Sequence, residues 1–176
     1  MNGIYPMGGM FMRSFEILDI KHFMAKLLLS PAFDFFLLKE ASITTFCTFS
    51  IDGRLHRDYF SYTEEERETY ADLNYPYWEQ VRPFCFSLIK GKKTPSQLKL
   101  VFLLTPKRTE QFLASHSLPY QRSDVSGLYL NVLYDGKKLS CTSGTALTIF
   151  TLDKTLEHLW DETLPVFLKK HQLPFA

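Results

Sequence analysis

The chain has 176 residues, enough to bury one core or two closely packed halves. Hydrophobic residues make up 45% and charged residues 22%, with 8 glycines and 9 prolines, which excludes a disordered or fibrous chain. A net charge of +1 excludes the broad basic field of a typical nucleic-acid binder, although a local patch stays open.

The first twelve residues, MNGIYPMGGMFM, hold three further methionines and two adjacent glycines before any patterned segment. They are expected to be a disordered or non-native leader, with the native start at Met10 or Met12. Ser14–Leu18 reads as a short strand, and Asp19 as the N-cap of a helix to about Leu29, whose Ile20, Phe23, Met24, Leu27 and Leu28 follow helical spacing. Pro31 ends it. Phe35–Ala41 and Ile43–Ile51 read as strands, and Asp52-Gly53 as a two-residue hairpin turn that returns the chain through Arg54–Phe60. Tyr62–Leu73 lacks an apolar stripe and is expected to be an exposed connection or a short solvated helix.

Pro76 fits the first turn of a helix lined by Trp78, Val81, Cys85, Leu88 and Ile89 and stopped by Gly91, with Pro83 inside it. Lys92–Pro95 is a basic turn. Leu98–Leu104 is so evenly apolar that it predicts a strand buried on both faces. Thr105 and Pro106 open a helix that points Phe112 and Leu113 inward. Leu128–Tyr134, an Asp135-Gly136 turn, Leu139–Thr142 and Ala146–Phe150 predict three more strands. Asp153 caps a final helix with Leu156, Leu159, Trp160, Phe167 and Leu168 as its stripe, interrupted by Pro165.

Set side by side, residues 13–92 and 93–176 each read βαβββα, an internal duplication within one compact α+β body. Gly53 and Gly136 lie 83 positions apart, while Trp78 and Trp160, the chain's two tryptophans, lie 82 apart, as do Pro83 and Pro165. A helix-interior proline costs about 3 kcal/mol, so a matched pair predicts a shared kink. The expected architecture is mainly antiparallel sheet with helices packed on one side, the halves related by a pseudo-twofold axis.

The segments Asp19–Ser30, Ile51–Leu55, Trp78–Pro95 and Gly127–Asp153 resemble an uncharacterised bacterial family, a domain of unknown function. That resemblance implies no activity. In topology alone, the doubled unit resembles one domain of a DNA sliding clamp or the saddle of the TATA-binding protein, and fold by itself does not assign function.

Cys47, Cys85 and Cys141 form no Cys-x-x-Cys pair and have no histidine at metal-ligand spacing, so no metal site or cofactor is expected and a reduced cytoplasm is the natural compartment. No run is long enough to span a bilayer, so no membrane partner is expected. His22, His56, His116, His158 and His171 are scattered; His56, beside Arg57 and Asp58, is the least ordinary. Cys85 is expected to be a buried structural thiol. Ser140–Thr145 lacks the Gly-Lys-Ser/Thr ending of a phosphate loop and reads as a Ser/Thr-rich strand end.

The strongest signal outside the core is basic: Arg82, Lys90, Lys92 and Lys93 near one helix end, and Lys107 and Arg108 opening the next helix. They would form one patch for phosphate or an acidic partner if their loops shared a side, or would simply complement helix dipoles in solvent. Tyr59, Phe60, Tyr62, Tyr70, Tyr75 and Tyr77 could anchor a partner. These features point to a non-enzymatic binding or scaffold module for protein or nucleic acid, with a protein partner or self-association favoured. The alternatives are a small hydrolase or transferase, with its site between the halves near His56 and Ser140–Thr145, and a structural subunit of a larger assembly.

Overall fold

The computed structural model describes residues 13–60, 63–91 and 93–176, so the expectations for Met1–Met12, Tyr62 and Lys92 lie outside the described residues. Local chemistry starts each element. The first strand, β1 (Ser14–Ile17), leads into α1 (Ile20–Leu29), where the Asp19 carboxylate accepts the backbone N–H of His22 at 2.9 Å. Phe23, Leu27 and Leu28 form its buried stripe. After a 3-10 turn over Pro31–Phe33 come β2 (Phe36–Thr44) and β3 (Thr48–Asp52). The polar stretch forms α2 (Glu64–Tyr70), which buries nothing and is capped by the Thr63 hydroxyl.

The helix α3 (Trp78–Ile89) starts two residues beyond Pro76, whose carbonyl instead accepts the N–H of Leu38 at 2.9 Å. Next are β4 (Gln97–Leu104) and α4 (Pro106–Ser115), with the Thr105 hydroxyl accepting the N–H of Arg108 at 3.2 Å. A hairpin joins β5 (Val125–Tyr134) to β6 (Leu139–Leu147). Gly136 takes its left-handed φ of +95°, and the Asp135 carboxylate accepts the N–H groups of Lys138 and Lys137, which hold its carboxyl below the usual range. The last helix, α5 (Thr155–Lys170), has its first N–H and its Thr155 hydroxyl bound by the Asp153 carboxylate.

Among the described residues the six strands form one antiparallel sheet in the order β1-β6-β5-β4-β2-β3. Leu98, Leu100, Phe102 and Leu104 of β4 face the helices together with Leu128, Leu130 and Val132 of β5. Phe102 is the hub, in edge contact with Trp78 at 5.1 Å and stacked with Phe33 at 5.9 Å and Phe36 at 5.6 Å. Fully burying such a side chain contributes about 1.5–3 kcal/mol.

Several expectations need correction. The second half reads βαββα and the first βαββαα, neither of them βαβββα, because Arg54–Phe60 forms no strand, α2 adds a helix, and Ala146 and Leu147 are simply the end of β6. Asp52-Gly53 is not the hairpin turn. The chain reverses at Thr45–Cys47, and Gly53 is needed because a Cβ there would sit 2.1 Å from the Leu38 carbonyl oxygen. Its N–H bonds the Lys39 carbonyl at 3.0 Å. The strand β4 is buried on one face only; on the other, Lys99 is exposed and Val101 and Leu103 are half-buried, since no helix covers that side.

The helices α3 and α5 run through Pro83 and Pro165 as expected. The paired tryptophans find different partners, the Trp78 indole donating to the Leu27 carbonyl and the Trp160 indole to the Tyr129 carbonyl. A rotation exchanging the halves would set β4 beside β3, as β1 sits beside β6. The strand β4 lies between β5 and β2 instead, so the strand order lacks that symmetry.

Candidate functional site

The helices α4 and α5 cover the β5–β6 region without closing on each other, and a cleft of about 360 Å³ lies between them. Each helix presents one stripe at i, i+3, i+4 and i+7: Arg108, Gln111, Phe112 and Ser115 from α4, and Trp160, Thr163, Leu164 and Phe167 from α5. Leu130 and Ser143 form the floor, and Phe35, Phe36 and Leu104 complete the wall. Aromatic pairs close two sides. Phe112 meets Trp160 edge-on at 5.5 Å, and Phe167 lies 5.8 Å from Phe35 and 6.0 Å from Phe36.

Polar groups are few. At the floor the Ser143 hydroxyl donates to the Asp161 carboxylate, both residues being buried. At the rim the Arg108 guanidinium lies 4.8 Å from the Phe35 ring centroid, and among the described residues it makes no ion pair. Thr163 returns its hydroxyl to the Leu159 carbonyl at 3.0 Å. No imidazole lines the cleft, so the Ser143 hydroxyl has a carboxylate acceptor but no histidine base beside it.

The basic residues do not converge. Arg82 is tied to Asp34 at 2.8 Å and to the Leu28 carbonyl, a structural tether between α3 and the turn before β2. Lys90 and Lys93 are exposed near the Gln97 end of β4, whereas Lys107 and Arg108 follow its Leu104 end. Eight strand residues put those two ends about 25 Å apart. Only Arg108 of the group reaches the cleft.

His56 and the Ser140–Thr145 segment are likewise separated. His56 lines a groove between β3 and α3, while Ser143 lies on β6, four strand spacings of about 4.8 Å from β3. Cys85 is buried and its thiol is pushed up to about 12 by that burial; burial also pushes the Cys141 thiol up, and Cys47 is exposed. Of the expected aromatic cluster, Phe60 stacks on Tyr70 at 4.5 Å and Tyr59 meets Phe60 edge-on at 5.5 Å.

Sequence reasoning missed the cleft because the α4 stripe of Arg, Gln, Phe and Ser looks like a solvated face with one aromatic. The legible signal was Thr163 set among the apolar stripe of α5, opposite that mixed stripe.

Among the described residues no cluster of His, Cys, Asp and Glu could hold a metal ion, and no helix is long and apolar enough to cross a membrane. No curated protein and no solved structure matches the chain. A family of unknown function, DUF5721, matches residues 26–176. The chain therefore belongs to the DUF5721 family, in keeping with the resemblance carried by its own segments.

Proposed function

We propose that the protein is a non-enzymatic binding module whose ligand is a small anionic amphipath, with its apolar body in the α4–α5 cleft and its head against Arg108. The observation that supports this most is the pairing of an aromatic-walled cleft with an arginine at its rim that, among the described residues, makes no ion pair. The volume of about 360 Å³ falls in the range of small-molecule sites, which are mostly apolar with a few orienting polar groups. Arg108 is already held over Phe35, so little side-chain freedom is lost when it meets a carboxylate, sulfonate or phosphate.

The arrangement favours a small ligand over nucleic acid. The lysines on the uncovered sheet face are engaged, Lys99 with Glu40 at 2.9 Å, Lys138 with Glu16 at 2.9 Å and Lys39 over the Tyr129 ring at 5.0 Å. That leaves no continuous positive track on this face among the described residues.

Fluorescence titration tests the reading with two probes that share an aromatic body, anilinonaphthalene sulfonate and its uncharged counterpart N-phenyl-1-naphthylamine. Both bind the wild type. Losing one charge-assisted contact costs about 1.5–3 kcal/mol, so Arg108→Ala weakens the sulfonate about tenfold or more and leaves the neutral probe nearly unchanged. Equal weakening of both probes, or of neither, refutes the assignment of the head group to Arg108.

A further inference from the structure

The two edges of the sheet are treated differently. On the β1 side the C-terminal residues run alongside the strand, with Glu16 N–H bonded to the Ala176 carbonyl at 3.0 Å, Ala176 N–H to the Glu16 carbonyl at 2.9 Å, and Leu18 N–H to the Pro174 carbonyl at 2.9 Å. That edge is closed. The β3 edge pairs only with β2 among the described residues and carries neither Lys nor Pro, the usual protections of an exposed edge.

The register identifies which groups are open. The Thr44 carbonyl accepts Ser96 N–H at 2.9 Å on the β4 side, so Ile43 and Ala41 turn their backbone groups to Phe49 and Ile51 of β3. Thr48, Ser50 and Asp52 therefore point their N–H and C=O groups outward. Apolar surface accompanies them. Phe46, 91% exposed, meets Phe49 edge-on, and Phe84, 68% exposed, lines the same groove as Phe49 and Ile51.

We propose that two copies of this chain pair antiparallel through β3 about a twofold axis at Ser50, making one continuous sheet. The sequence of β3, Thr-Phe-Ser-Ile-Asp, is complementary to itself in that register. Thr48 lies opposite Asp52 of the second copy, so a hydroxyl meets each carboxylate and the two carboxylates stay apart. Phe49 lies opposite Ile51, an aromatic and β-branched pair on the helix-covered face, beside the groove that holds Phe84. Each of Thr48, Ser50 and Asp52 satisfies both of its outward backbone groups, and the interface is isologous and closes.

Sedimentation and light scattering of the full chain at micromolar concentration test this. The wild type gives twice the 20.5 kDa chain mass. Ser50→Pro removes an N–H that β2 does not use, and Ser50→Lys sets two like charges face to face on the axis; both become monomeric with unchanged circular dichroism. Should the proline variant fail to fold, the lysine variant decides. Ser50→Cys in a Cys47→Ser background cross-links to a dimer with a short bis-maleimide. A monomeric wild type, a folded Ser50→Lys protein that stays dimeric, or the absence of cross-linking overturns the proposal.

Discussion

Ser143→Ala separates the polar floor of the cleft from its apolar walls. The Ser143 hydroxyl donates to Asp161, a carboxylate on α5 only 8% exposed, so the substitution deletes a hydrogen bond to a buried charge without changing the strand. Such a bond contributes about 1.5–3 kcal/mol, and a chain of this length loses about 2–4 °C of Tm per kcal/mol, so the melting temperature falls by roughly 3–12 °C. Differential scanning calorimetry at neutral pH measures the fall. Asp161→Asn, which keeps an acceptor oxygen for Ser143, loses less than Ser143→Ala. The lining remains apolar in the alanine variant, so the neutral naphthylamine probe still binds. A change in Tm below about 1 °C would refute the claim that this contact ties α5 to β6.

The burial of two thiols predicts that Ellman's reagent titrates Cys47 alone in the native protein and all three cysteines after denaturation; rapid native reaction of Cys85 would contradict its burial and raised pKa. Arg82→Met strands the half-buried Asp34 carboxylate and lowers stability by about 1–3 kcal/mol in a chemical denaturation curve, while leaving sulfonate binding unchanged. A loss of probe affinity with intact stability would return Arg82 to the binding surface.

Features set by neighbours in the chain are legible in the sequence. Asp19, Thr105-Pro106 and Asp135-Gly136 each act within a few residues, and each does what its chemistry predicts. The errors arose where distant segments decide. Asp52-Gly53 carries a strong hairpin signal, but its glycine answers to the Leu38 carbonyl across the sheet, and the real reversal at Thr45–Cys47 has no glycine. Leu98–Leu104 looked buried on both sides, because hydrophobicity alone does not reveal that the helices gather on one face. On the uncovered face Leu103 lies opposite Tyr129 across the ladder, and both side chains crowd Gly127, leaving no room for a Cβ there.

Arg82, Lys90, Lys92, Lys93, Lys107 and Arg108 make one patch only if their helix-end loops share a side, but β4 intervenes as a rigid spacer and Arg82 is paired with Asp34. Of the group Arg108 alone reaches the cleft, for a reason absent from the pattern: Phe35, far earlier in the chain, supplies the surface that holds its guanidinium at the cleft rim.

Thr163 is the half-buried position on α5 from which a larger side chain would occupy the cleft rather than the core. Calorimetric titration of anilinonaphthalene sulfonate into wild type and Thr163→Trp, with melting temperatures measured alongside, tests the cleft as the ligand site. The wild type binds at a single class of site, and the tryptophan variant, folded and equally stable, does not. Undiminished binding by a folded Thr163→Trp protein would place the probe elsewhere and contradict the account.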